Sequence, residues 1–232
     1  MSPRAFGIAL LVALPPALTL TPLPTADSRA QADPGGAGVS RGALLSGPRA
    51  AQAAVAVQLS LDELVAAASY VVVATAIEQR SQWEELGGAR RIVTYTRLSI
   101  DRTVAGQPDG EVWVRTLGGV VGDVGQHVSG DAQIAIGAQA MVFVSKVGSA
   151  LVVSGMAQGH YPVVDGEEKP SVAGGSGARR VAVRRLAASP DSGTVLSRPG
   201  PAISASERLV GATLDTAIDA VNQAWKAKHA QK

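Results

Sequence analysis

Between Leu59 and Val164 the chain alternates branched apolar with polar residues at a period of two, as strands with one face in a core do. The clearest stretch runs from Arg91 to Val104. Ile92, Thr94, Thr96, Leu98, Ile100 and Val104 fall on one face, and Arg91, Arg97, Ser99 and Asp101 on the other. Tyr70-Val71-Val72-Val73-Ala74-Thr75-Ala76-Ile77 is apolar almost throughout and reads as a buried strand. Glu78 to Gly88 is polar and ends in a Gly87-Gly88 turn. Glu111 to Leu117 forms a third strand, and Met141–Val144, Leu151–Val153 and Tyr161–Val164 complete five or six short ones. Ahead of them, Ser60 and Glu63 stand at capping-box spacing before Leu61, Leu64, Val65 and Ala68, which predicts a short helix to about Ser69. The class is mainly β: a small closed or nearly closed barrel over residues 54–166 with one leading helix.

The absence of cysteine removes disulfides, thiolate metal sites and a cysteine nucleophile, so stability rests on packing. The formal net charge of +2 hides an opposition along the chain. Residues 54–170 carry 8 basic and 13 acidic side chains, whereas residues 171–232 carry 9 basic and 4 acidic.

The N-terminus has the order of a signal peptide over residues 1–32. Arg4 precedes an apolar run from Ala5, interrupted by Pro15-Pro16 and resumed through Leu20, and Ala30-Gln31-Ala32 supplies a small-residue cleavage site. A second such site is Ala51-Gln52-Ala53. The proline break argues against a membrane-spanning helix, and no later run is long and apolar enough for one. Residues 33–53, crowded with glycine, proline and alanine, read as a disordered linker. The expected location is therefore secreted or periplasmic.

The order Ser60-Leu61-Asp62-Glu63-Leu64-Val65, a Val-rich strand, an exposed hairpin, the Arg91-to-Gly106 strand and Ile136-Gly137-Ala138-Gln139-Ala140-Met141-Val142-Phe143-Val144 resembles the OB-type barrel of netrin-like and metalloprotease-inhibitor-like domains. It is also similar to secreted bacterial proteins of that layout. The resemblance spans roughly Leu59 to Val164 and implies a binding scaffold, with an extracellular protein such as a protease as one partner class. The inhibitor branch chelates a protease zinc through an N-terminal cysteine. This chain has no such residue, so that mechanism does not carry over.

Among candidate chemistries, Gly38-Val39-Ser40-Arg41-Gly42 spells a nucleophile elbow, but no strand precedes it to make the sharp turn that the motif needs. The Gly-rich loop from Gly118 to Gly125 and the polar residues after it are the first choice for a binding loop: Asp123, Gln126, His127 and Ser129. His127 beside Asp123, Ser129 and Asp131 also raises a hydrolase as an alternative, which requires those groups to meet in space. The three histidines, His127, His160 and His229, are scattered and no metal-ligand spacing appears, so no metal or cofactor is expected. With aromatics at 3% and an acidic barrel segment, the stacking platforms and basic groove of a nucleic-acid binder are not expected either.

Residues 167–203 read as a flexible linker with a basic arm, Arg179, Arg180, Arg184 and Arg185, which form either an edge strand or a contact for acidic polymer or lipid. Over residues 204–230, Leu214, Ile218, Val221 and Trp225 recur on one helical face, with Thr213 as cap and Lys226 and Lys228 at the C-terminal end. This predicts an amphipathic C-terminal helix docked on the barrel, the alternative being a partner or a membrane surface. The expected function is a secreted, non-enzymatic binding module, the alternatives being a protease accessory or inhibitor and the His127 hydrolase.

Overall fold

The computed structural model describes residues 55–108, 112–170, 180–197, 200 and 202–230. The signal segment, the 33–53 linker, the Gly38–Gly42 motif and Arg179 lie outside the described residues. The strands are β1 (Val55–Val57), β2 (Tyr70–Leu86), β3 (Ala89–Gly106), β4 (Val112–Leu117), β5 (Gly119–Val121), β6 (Val124–Gln126), β7 (Gln139–Val147), β8 (Ala150–Val153), β9 (His160–Pro170), β10 (Arg180–Leu186) and β11 (Thr194–Leu196). The helices are α1 (Leu61–Ala67), α2 (Ala205–Leu209) and α3 (Leu214–His229). The class is mainly β, and among the described residues no helix is long and apolar enough to cross a membrane.

The largest sheet has the order β10-β9-β7-β2-β3-β4-β8, and a further pairing of β7 with β8 brings its end back on itself. The pairings thus run around a ring of β7, β2, β3, β4 and β8, antiparallel except where Val114 and Arg115 lie parallel to Leu151 and Val152. Three consecutive strands, β2, β3 and β4, are followed by a long connection that returns β7 to the side of β2, which is Greek-key order. That connection, residues 118–138, carries the candidate site.

The unbroken apolar run of β2 has a direct cause: both faces are covered. Tyr70, Val72, Ala74 and Ala76 point into the ring with Leu98, Val112, Val114, Val142 and Val144. Val71 and Val73 point the other way, with Met141, Phe143 and Tyr161, and meet Leu64 and Val65 of α1 and Ile218 and Val221 of α3. The C-terminal helix therefore docks on the sheet. Leu214, Ala217, Ile218, Val221 and Ala224 are its buried stripe, and Trp225 lies at the margin, stacked on His229 with ring centroids 4.0 Å apart.

Both capping sites have the reciprocal geometry. Glu63 donates its N–H to Ser60 Oγ at 3.3 Å while Ser60 N–H donates to Glu63 Oε2 at 2.9 Å. Ser204 and Glu207 repeat this at 3.0 and 2.9 Å before α2, a second box that the C-terminal reading did not include. Ser60→Ala is expected to lower stability by about 1 kcal/mol, since it leaves a helix donor without its acceptor. Urea unfolding midpoints would measure it, and an unchanged midpoint would mean that solvent already satisfies that donor.

Four sequence expectations change. Glu78 to Leu86 is strand rather than a polar approach to a turn. It pairs with β3 from Glu78↔Arg97 to Leu86↔Ala89, closed by Gly87 and Gly88 at φ +60° and +74° as a type I′ hairpin demands. On its β2 side the extension is mostly polar, and cross-strand pairs help to hold it: Arg97 Nε lies 3.1 Å from Glu78, and Arg90 stacks over Trp83 at 4.9 Å. Ile92 and Val93 of β3 are fully buried there. Secondly, Val104 does not share the face of Leu98. Register shifts between Val71 and Val72 and between Val73 and Ala74 turn it toward the helices.

Thirdly, the 167–203 stretch is not linker throughout: of the two roles expected for its basic arm it takes the edge strand, β10, paired with β9 from Arg180↔Pro170 to Leu186↔Val163. Arg184 donates to Gln139 Oε1 at 2.7 Å and Arg185 to the Gly211 carbonyl at 2.6 Å, so these two arginines brace the sheet. Finally, the 204–230 helix is two helices, because Gly211 at φ +80° breaks the chain between them.

Candidate functional site

The site forms where the hairpin extension of β2 and β3 runs past the ring and the Greek-key return folds across it. Its backbone path depends on glycine. Gly118 and Gly119 have φ of +92° and +129°, and a Cβ on Gly119 would collide with Thr94 Oγ1 and lie 2.6 Å from Ser81 Oγ. This close approach lays the short β5–β6 ribbon along the extension. Gln126 Oε1 then accepts the Ile92 N–H at 2.8 Å, tying the ribbon to β3.

Under the ribbon lies an open cleft of about 580 Å³. Leu117, Val120, Val128 and Ile134 supply apolar wall, while Gln79, Thr94, Thr116 and Asp131 supply polar groups. Gln79 is held by donating to Thr96 Oγ1 at 3.1 Å and to the Ile134 carbonyl at 2.5 Å. Asp131 is 7% exposed. Its carboxylate accepts the Leu117 N–H through Oδ2 and the Ala132 N–H through Oδ1, the latter at 2.8 Å. Burial pushes this carboxyl above the usual carboxylate range, and the two backbone donors pull it partly back.

The sequence-predicted loop residues divide. Gln126 and His127 line the cleft; Asp123 sits exposed at the β5–β6 turn, away from the lining. His127 Nε2 meets Asp191 Oδ2 at 2.5 Å, and its Nδ1 faces Gln133 Nε2 at 3.2 Å. Ser129 Oγ donates to Asp191 Oδ1 at 3.1 Å. Serine, carboxylate and histidine thus gather, with the carboxylate in the middle, and both ring nitrogens of His127 are engaged by other partners. A serine nucleophile needs the ring itself as its base.

Ser129 is therefore expected to react with an organophosphorus serine reagent no faster than an ordinary surface serine. Labelling of Ser129 that disappears in His127→Ala would restore the hydrolase reading. The same substitution is expected to change stability by less than about 0.5 kcal/mol, because the pair is exposed.

Asp191 is the residue that sequence reasoning missed. Asp191 stands 64 positions from His127 in a Ser-Pro-Asp-Ser-Gly turn, and its only local signal was that turn. Asp131, expected beside His127, is instead buried with its carboxylate on two backbone N–H groups, and nothing nearby in the chain foretells that burial. Among the described residues no three histidine or acidic side chains are placed to hold a metal ion. No protein-family model, curated protein or solved structure matches the chain.

Proposed function

We propose that this chain is an exported, non-enzymatic binding module: an OB-type barrel of netrin-like layout whose Greek-key return carries the ligand cleft. The observation that carries the reading is the cleft itself. It is mostly apolar, holds a few anchored polar groups, and lies within the range of about 300–1,000 Å³ usual for ligand sites. The five-stranded ring with Greek-key order supports the barrel assignment. The cationic start, apolar run and Ala30-Gln31-Ala32 support export. The netrin-like layout keeps an extracellular protease among the partner classes.

The test uses a random peptide library displayed against the full chain and against Gly125→Trp. Gly125 lines the cleft, has ordinary backbone geometry, and a Cβ there would meet only Val120 Cγ2, at 3.8 Å. A tryptophan there meets no backbone obstacle and is placed to obstruct the cleft. Peptides retained by the wild-type chain and released by the variant are expected. Equal retention by both, or none by either, would remove the cleft as the binding site. Export is checked separately by N-terminal sequencing of the chain from the extracytoplasmic fraction, where a mature start after Ala32 or Ala53 is expected.

A further inference from the structure

We infer that the cleft receives a cationic side chain, the ammonium of a lysine or the guanidinium of an arginine on an extended peptide, with Asp131 as its anchor. The inference rests on the binding-module reading above and names the ligand class of the same site.

The charges that face the cleft are few. Asp131 lies in the wall, His127 lies at the rim with Asp191 paired to it, and the lining contains neither lysine nor arginine. The cleft thus gathers two carboxyl groups and neither a lysine nor an arginine. Residues 54–232 together carry 17 acidic and 17 basic side chains, so the preference for a cation rests on the groups of the cleft itself.

Asp131 itself is unfinished. A carboxylate offers about four lone-pair directions, and the Leu117 and Ala132 N–H groups use one on each oxygen. Burial has removed most of the water that would serve the rest, and no cation of the described chain stands in its place. An incoming ammonium or guanidinium supplies both the missing donors and the missing charge. The walls match the remainder of such a side chain: Leu117, Val120, Val128 and Ile134 are apolar and suit a methylene stem whose head alone is charged.

The experiment follows amide resonances of the full chain, labelled with ¹⁵N, during titration with three capped tripeptides. These have a glycine on either side of a lysine, a norleucine or a glutamate. The amides of Leu117 and Ala132, which donate to the Asp131 carboxylate, are expected to shift with the lysine peptide. Norleucine should bind at least about tenfold more weakly, a difference of about 1.4 kcal/mol. Glutamate should leave both amides unmoved.

Asp131→Asn would set an amide NH2 against one of the two backbone donors and disturb the fold, so the decisive variant is Val120→Lys. Val120 is 66% exposed, and a lysine there offers a competing cation, with Val120→Met, which keeps the apolar wall and is expected to bind as the wild type does, as its control. Val120→Lys is expected to weaken the lysine peptide about tenfold. Equal binding of lysine and norleucine peptides would overturn the cation assignment while leaving an apolar ligand cleft standing. Undisturbed amides with every tripeptide, alongside library peptides that Gly125→Trp releases, would likewise overturn it without touching the module reading.

Discussion

Gly119→Ala is expected to destabilise the protein by about 3 kcal/mol, from backbone strain and a collision acting together. At φ +129° an alanine is strained in any surroundings, and its Cβ would be driven into Thr94 Oγ1 and Ser81 Oγ. Those two hydroxyls hold each other at 2.9 Å, and Thr94 also donates to the Gly118 carbonyl at 2.7 Å, so moving either one breaks a bond. Two neighbouring glycines separate the contributions. Gly122 has φ +60° but nothing within 4 Å of a Cβ, so its alanine variant should cost about 1 kcal/mol, from the left-handed conformation alone. Gly125→Ala, with neither burden, should be close to neutral. Urea denaturation of the three variants checks the order, and a Gly119 variant as stable as the Gly125 one would mean that β5 does not lie against the β2–β3 extension.

Stability is expected to fall by about 3 kcal/mol as pH drops from above 6.5 toward 4, most of it gone by pH 4.5. The cause is His160, which is 3% exposed and meets Ser189 Oγ at 3.0 Å through Nδ1. Desolvation pushes its pKa down from 6.5 to about 4, so the folded chain keeps the ring neutral over a range where the unfolded chain protonates it. The contribution is fully present above 6.5 and is lost as pH falls through that window. Asp131 works in the opposite sense, because a raised carboxyl takes up its proton more readily in the fold than in the unfolded chain, which favours the fold as acid is added. Denaturant midpoints at pH 7 and 4.5, compared with those of His160→Gln, isolate the histidine. A wild-type slope no steeper than the variant's would show that His160 is hydrated in the folded state.

These two expectations bear on different parts of the molecule. Gly119 governs how the cleft is built. His160 stands at the start of β9 with Ser189 opposite it, in the same connection that brings Asp191 to His127. Acid that loosens His160 is therefore placed to loosen the rim of the cleft as well.

Much of the architecture was legible along the chain. Ser60 and Glu63 announced α1, Leu214, Ile218 and Val221 marked the docked face of α3, and the Val-rich run at Tyr70 to Ile77 announced a strand covered on both sides. The Glu78-to-Leu86 half of the hairpin was not legible as strand, since its residues are mostly polar and partly exposed and show no apolar alternation. The basic arm was half legible. Its charges suited an edge strand, but whether Arg184 and Arg185 stood free or braced Gln139 and Gly211 depended on what lay beside them.

Caps, periods and the exclusion of thiol chemistry are properties of neighbouring residues, and the sequence by itself determined them. Tertiary structure decided the rest: the parallel contact of β4 with β8, the bulges that turned Val104 to the helices, the burial of Asp131, and the meeting of His127 with Asp191. The physical reason is register. A one-residue shift in β pairing reverses which side chains face inward, and that shift is set by long-range packing rather than by any local preference of the residues concerned.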